Sequence, residues 1–248
     1  MHKPTRKYED SIINRMRKYN INMYRGYGEW IIDRIAKIPN DRSVVVLIRH
    51  SERPDFKNIP ISEWSNVLLT KRGEEVARGF GLALASDSKF QSVIGHGWGL
   101  ERCIITAKLI VEGAKSAGCH VEYSTLNGFQ SPIQNLNLYE NYIKDGKYTD
   151  MLNDWFSSNS ENGPFRPYVQ YSRNIISRML SEQLKVNNNI TVIATHDLHI
   201  IPIINYIFGL KSIGIGFLSG MVIAKNGNML EFFSENSVKQ LSINDFRY

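Results

Sequence analysis
Three short clusters in this 248-residue chain combine side chains that suit phosphoryl transfer. Arg49-His50-Ser51-Glu52-Arg53 sets an imidazole between two guanidinium groups. His196-Asp197 offers a second imidazole with a carboxylate beside it, and Glu101-Arg102-Cys103 supplies a third arginine. Such a transfer needs an in-line nucleophile, positive donors around three equatorial oxygens and an acid for the leaving oxygen. Neutral imidazole, with an unperturbed pKa of about 6.5, keeps a free lone pair near neutral pH. Its attack on phosphorus yields a phosphohistidine that water can hydrolyse. Arginine holds two phosphate oxygens in one planar fork and keeps its charge. A neighbouring carboxylic acid can protonate the leaving alkoxide if its pKa is raised or the pH is low.

These residues can act together only if the fold brings them to one place. Ser43–Arg49 is a continuous, largely β-branched run, the pattern of a strand buried on both faces, and Ile190–Thr195 repeats it. Thr70–Ala85 reads as a helix with Thr70 as N-cap and Val76, Phe80 and Leu84 at helical spacing. Phe90–Ile94 is a short strand, followed by the glycine-rich turn Gly95-His96-Gly97-Trp98-Gly99 and a helix over about Leu100–Lys115. His120–Tyr123 is a further strand. Helices are expected at Tyr8–Lys37, Tyr148–Phe156, Tyr168–Lys185 and His199–Phe208. Gly220–Lys225 and Met229–Phe233 form a hairpin through Asn226-Gly227-Asn228, a strong turn signal. Strands alternating with helices predict an α/β sandwich around a mainly parallel sheet. Ligands in such sheets bind outside the carboxyl ends of the strands. His50 and His196-Asp197 lie just past two of those ends, and Arg102 just past a third.

The rest of the chain narrows the setting. With 42% hydrophobic and 22% charged residues it has the composition of a globular domain able to bury a core without staples. No repeat or linker divides it, so residues 1–248 are expected to form one domain, with 1–42 a helical extension and 124–167 an irregular insertion over the site. The longest apolar runs are too short to span a bilayer. Met1–Arg17 is basic with no apolar stretch behind it, so no secretory signal is expected. Cys103 and Cys119 fit neither a metal site nor a disulfide framework, which favours a reducing, cytoplasmic compartment. A net charge of +6 suits anionic partners, and no nucleic-acid motif accompanies it.

In combination the clusters resemble the histidine phosphatase superfamily, which includes the cofactor-dependent phosphoglycerate mutases. Arg49-His50-Ser51-Glu52-Arg53 resembles its Arg-His-Gly-x-Arg signature, and Leu69-Thr70-Lys71-Arg72-Gly73 its Leu-Thr-x-x-Gly segment. Arg102 with Thr106-Ala107 is similar to the Arg-x-x-x-Thr-Ala helix start. Thr195-His196-Asp197 is similar to the second-histidine motif, and its His-Asp pair leans toward the acid-phosphatase branch. The resemblance runs from about Val44 to Phe208 and implies a phosphoglycerate mutase-like three-layer α/β/α sandwich. It further implies His50 as nucleophile, Arg49, Arg53, Arg102 and His196 as the phosphate pocket, and Asp197 as general acid. The implied activity is a phosphomonoesterase acting on a small phosphorylated substrate, with no metal and no cofactor. Alternatives are a mutase, whose acid would be Glu140, and a pseudo-enzyme that binds a phosphorylated ligand without turning it over. Ser51 in place of the family's glycine invites the last reading. Gly97-Trp98 replaces the family's Ser or Thr before the later arginine, and Trp98 could wall the substrate entrance.

Simpler roles are set against the remaining candidates. Glu52 reads as a solvated loop charge, and His96 as a loop histidine at the rim. His199 lies one helical turn from His196, and the pair could suggest a metal; the doublet closes a strand, which argues against that. Asp197 can cap its helix as well as act as acid. Arg15, Arg17 and Lys18 beside Ile12, Ile13 and Met16 form an amphipathic stripe that suits docking on the domain better than binding an anionic membrane. Specificity is expected from Phe56–Asn66 and from Ser124–Pro167, including Trp64, Phe129, Gln130, Gln134, Asn137 and Tyr139.

Overall fold
Alternate residues of the first strand enter two different cores, and that alternation sets the layers. The computed structural model describes residues 27–56, 59–126, 128–158, 162–210 and 214–246. Strand β1 (Ser43–Arg49) is flanked by β4 (Asn189–Thr195) and β5 (Gly220–Asn226). Val44, Val46 and Ile48 face α1 (Glu29–Ile35), α2 (Lys71–Asp87) and α3 (Glu101–Ser116). Val45 and Leu47 face α5 (Tyr148–Ser158), α6 (Tyr168–Glu182) and α7 (Asp197–Phe208). Both faces of β1 are therefore dry, as its unbroken apolar run requires.

The sheet has seven strands in the order β3-β2-β4-β1-β5-β6-β7, where β2 is Ser92–Gly97, β3 His120–Thr125, β6 Met229–Ser234 and β7 Ser237–Ser242. β1 to β4 are mutually parallel, β5 and β7 run the opposite way, and β6 runs with the first four. This is the expected sandwich around a mostly parallel sheet. β4 lies between β1 and β2, and its register places Thr195 beside Arg49 and Ala194 beside Gly97. The ends of three strands that carry chemistry thus become neighbours.

Several local expectations change. Gly95-His96-Gly97 is the end of β2 and not a turn. The glycines there serve packing: a Cβ on Gly97 would stand 2.5 Å from Ile104 Cα of α3, and one on Gly95 2.4 Å from Val111 Cγ2. Of the helix read at Tyr8–Lys37, the described residues are helical only over Glu29–Ile35: Gly28 is left-handed at φ +69° and Ala36 ends the helix, while the basic stripe of Arg15, Arg17 and Lys18 lies outside the described residues. α7 begins at Asp197, two residues before the expected start. α4 (Leu136–Lys144), β7 and a 3-10 turn over Ile61–Asn66 go beyond the expected elements. α4 sets Tyr139, Tyr142 and Ile143 at helical spacing against the core but buries no residue fully, and β7 is an edge strand with no buried residue. No helix among the described residues is long and apolar enough to cross a membrane.

α2 and α3 cross backbone to backbone. A Cβ on Gly81 would stand 1.9 Å from Ile110 O, and one on Gly113 2.0 Å from Arg78 O. Gly81→Ala is therefore expected to lose about 3 kcal/mol, because the obstacle is main chain and cannot rotate aside. Urea unfolding checks this through the midpoint; an unchanged midpoint would mean that the helices separate at no cost.

Candidate active site
His50 comes directly after β1 and is 2% exposed, while its backbone N–H donates to Thr195 O at 2.8 Å. Its ring Nδ1 lies 2.8 Å from Ser51 O, which can only accept, so Nδ1 carries the proton. Nε2 then keeps its lone pair, and Arg102 Nε donates to it across 3.3 Å. Burial pushes the His50 pKa down to about 3, with Arg102, Arg49 and Arg53 adding to the fall against the bond to Ser51. The imidazole is thus neutral at ordinary pH, with the Nε2 lone pair accepting from Arg102.

Ser51, which stands where the resembled signature has glycine, fits without strain. Ser51 is not among the residues with positive φ. Its Oγ donates to Gly73 O at 2.6 Å, and its N–H donates to Thr106 Oγ1 at 3.0 Å. Gly73 must itself be glycine, since a Cβ there would stand 2.1 Å from Glu52 O. Thr70 caps α2 as expected, accepting from Gly73 N at 2.9 Å. Glu52 is not a solvated loop charge. It accepts from Tyr27 Oη and from Thr70 Oγ1, and the first of these bonds is the main cause that holds its carboxyl below the usual range.

The three arginines converge around His50. Arg102, the second residue of α3 and 6% exposed, is tied by Nη1 to Trp64 O at 2.7 Å and Val67 O at 3.3 Å. Arg49 Nη1 donates to Ile215 O at 2.6 Å and lies 3.6 Å from Asp197 Oδ2. Arg53 Nη1 donates to Pro54 O at 2.6 Å, and its guanidinium lies 3.2 Å from the centre of the Phe56 ring. Burial, helped by Arg49 and Arg102, lowers the Arg53 pKa to about 10. The Nε atoms of Arg49 and Arg53 are buried with no hydrogen-bond partner among the described residues. Three clustered cations with spare donors can hold a dianion.

His196 stands at the N-cap of α7, and its ring centre lies 5.2 Å from that of His50 at a near-perpendicular angle. Burial holds its pKa well below the usual value, and His50 and Arg102 push the same way. Cys103 Sγ sits 3.4 Å from His196 Nε2, and burial raises that thiol to about 12, so it stays protonated. Asp197 accepts from Leu198 N at 3.0 Å while facing Arg49. Every residue expected at the site is thus brought to the same end of β1, β4 and the α3 start.

Other candidates lie elsewhere. His96 is buried in β2 and bonds Ser124 Oγ at 2.8 Å and Gln183 Oε1 at 3.0 Å, so it is no rim histidine. His199 packs 4.0 Å from the Trp98 ring and bonds Tyr171 Oη at 2.6 Å. Trp98 is 4% exposed, so it belongs to the core behind the site and does not wall an entrance. Glu140 pairs with Lys144 at 3.4 Å. Its neighbour Tyr139 instead feels the site: burial, then the Asp197 charge, raises its hydroxyl to about 12. Successive residues on a helix differ by about 100° in direction, so Glu140 points off that line. Sequence reading missed Phe217, whose ring lies 5.6 Å from His50 and 4.6 Å from the Arg49 guanidinium. A lone aromatic near glycines offers no pattern to find it by. It also passed over Tyr148, whose hydroxyl pKa is raised by burial and then by Asp197.

Buried neutral histidines tie stability to pH. His50 and His199 titrate near 3 when folded, against 6.5 for a free imidazole. The folded chain therefore binds fewer protons than the unfolded chain between those values. Their contribution is complete above pH 6.5 and is expected to decline steadily as the pH falls toward 3. Denaturant midpoints across that range test it; midpoints independent of pH would contradict it.

No protein-family model matches the chain, and neither does any curated protein sequence. Solved structures do match. A phosphoglycerate mutase from Bacillus anthracis aligns at 15% identity with a TM-score of 0.51, covering 84% of this chain and 95% of that one. A candidate alpha-ribazole-5'-P phosphatase from Escherichia coli aligns at 18% identity with a TM-score of 0.50, covering 79% and 96%. At such identities the likeness speaks to fold: the chain has the phosphoglycerate mutase-like fold of the histidine phosphatases that its motifs resemble. Neither neighbour bears on the acid-phosphatase branch.

Proposed function
We propose that the protein is a phosphomonoesterase that hydrolyses a small phosphorylated substrate through a phosphohistidine on His50. The observation that carries this reading is the state of His50, a buried neutral ring with Nδ1 anchored on Ser51 O and Nε2 among three arginines. In this reading Arg49, Arg53, Arg102 and His196 hold the phosphoryl oxygens. The Nε2 lone pair forms a bond to phosphorus, the bond to the leaving oxygen breaks, and that oxygen takes a proton from the Asp197 carboxyl. Water then attacks the phosphohistidine, giving its proton to the Asp197 carboxylate, and phosphate departs as His50 regains its lone pair.

Asp197 is preferred to Glu140 as the acid because it faces Arg49 within the cluster, whereas Glu140 pairs with Lys144 on α4. That preference supports hydrolysis over a mutase. The intact Ser51 contact to His50 speaks against a pseudo-enzyme. One domain carries the site, with 124–167 as its roof through Tyr139 and Tyr148. Both cysteines are free thiols, which supports a cytoplasmic setting.

The test is phosphate release from an aryl phosphate between pH 4 and 8 with EDTA present, coupled to rapid quenching in alkali. Turnover with a phosphoryl group on the peptide that contains His50 is expected. Asp197→Asn is expected to lose about 10²–10³ in rate on substrates with poor leaving groups and far less on nitrophenyl esters. Metal-dependent turnover, or a phosphoryl group on another residue, would sink the mechanism.

A further inference from the structure
The segment from Tyr27 to Ile35 contributes nothing to the phosphate pocket, yet it grips both loops that shape it. On one side Tyr27 Oη donates a short hydrogen bond to Glu52 Oε2. Glu52 comes after Ser51, whose carbonyl anchors the His50 ring, and the Glu52 main-chain carbonyl accepts from Thr70 N at 3.0 Å. On the other side Trp30 Nε1 donates to Ser219 Oγ at 3.0 Å. Between them Gly28, at φ +69°, runs so close to the main chain that a Cβ would stand 2.1 Å from Leu218 O. No other residue could make that passage.

Residues 215–219 in turn enclose Arg49. Ile215 O accepts from Arg49 Nη1 at 2.6 Å, Leu218 N donates to Arg49 O at 3.0 Å, and Arg49 N donates to Ser219 O at 2.9 Å. Phe217 lies against both Arg49 and His50. By itself this loop has little reason to keep such a shape. It contains Gly216, with Gly214 just before it, both exposed, and Leu218 sits at φ +54°, a region that leucine disfavours. Something outside the loop must hold it.

We propose that Tyr27, Gly28 and Trp30 form a strap that positions Arg49 and His50 by pinning the Ser51–Glu52 turn and the 215–219 loop to each other. Tyr27 and Trp30 are positioning residues, because neither touches the reacting atoms. The inference rests on the phosphate-pocket reading above. It gives a task to the stretch before β1 that no motif explained. The bond from Tyr27 goes to a carboxylate and so belongs to the stronger, charge-assisted kind.

Binding of orthovanadate by titration calorimetry, with kcat and KM on an aryl phosphate, tests the strap in the full chain. Tyr27→Phe, Trp30→Phe and Ser219→Ala each remove one bonding group while keeping most of the packing. Each is expected to weaken vanadate binding and kcat/KM by roughly 3- to 10-fold. The Trp30→Phe/Ser219→Ala double variant is expected to be no worse than the more affected single variant, since both remove the same bond. Ile32→Val trims the buried core face of α1 and leaves both strap hydrogen bonds in place. It should lower the melting temperature and leave vanadate affinity unchanged. Wild-type affinity in the three strap variants would overturn the proposal, as would an Ile32→Val variant that loses vanadate affinity alongside them. If the wild type binds no vanadate, the pocket reading fails and the strap's task with it, an outcome distinct from binding that the strap variants leave intact.

Discussion

His50→Ala is expected to cut phosphate release at least about 10⁴-fold while leaving the fold intact. The size comes from the role. In the proposed role His50 has no substitute nearby: His196 Nε2 lies against the Cys103 sulfur, and burial holds that thiol protonated. Some stability should go with the buried ring, which leaves a cavity and frees the Ser51 carbonyl; above pH 6.5 the ring is neutral folded or unfolded, so its removal relieves no charge burden there. The three arginines remain, so the variant should still bind vanadate or phosphate. Loss of turnover with binding retained is the pattern a direct rate and calorimetry comparison should show. Turnover within about tenfold of wild type would remove His50 from the mechanism, whatever the fold resembles.

Arg102→Lys is expected to lose about 10²–10³ in kcat/KM, although the charge is kept. The guanidinium does two jobs from one plane. Nη1 bonds two carbonyls, Trp64 O and Val67 O, while Nε faces His50 Nε2. A lysine ammonium is a point charge on a flexible stem and cannot meet these directions together. The 3-10 turn over Ile61–Asn66 would then lose its anchor, so KM should rise along with the fall in kcat. Arg53→Lys should cost less, since Arg53 spends its Nη1 on the carbonyl of the adjacent Pro54 and stacks on the Phe56 ring. Steady-state kinetics on both variants decide the ranking; equal losses would mean that charge alone matters at Arg102.

Much of the site was legible in the residue order because strand ends are legible. A continuous run such as Ser43–Arg49 can only be a doubly buried strand, so the residues just past its end must emerge at a rim. That logic located His50 and His196-Asp197, and the Thr70 cap located the helix that backs them. Where it failed, the cause was packing. Gly95 and Gly97 looked like a turn because glycine permits turns, but here they clear space for α3. Glu52 looked solvated because its partners, Tyr27 and Thr70, lie 25 and 18 residues away. Phe217 is a lone aromatic outside any period, and α4, although Tyr139, Tyr142 and Ile143 share one face, is short and lies in a stretch punctuated by glycine and proline.

The sequence by itself determined which side chains are available: the two imidazoles, the arginines, the carboxylate and the strand ends that bear them. These are local properties, written in residue type and in short patterns. Tertiary structure alone decided the neighbours. β4, formed by residues far along the chain, inserts between β1 and β2, and only that register sets Thr195 beside Arg49 and the two imidazoles 5.2 Å apart. It also decided the protonation of His50, since burial and three arginines, which outweigh the opposing Ser51 carbonyl, meet only in the folded chain. A pKa depends on the surroundings of a group, and surroundings do not exist until distant segments meet.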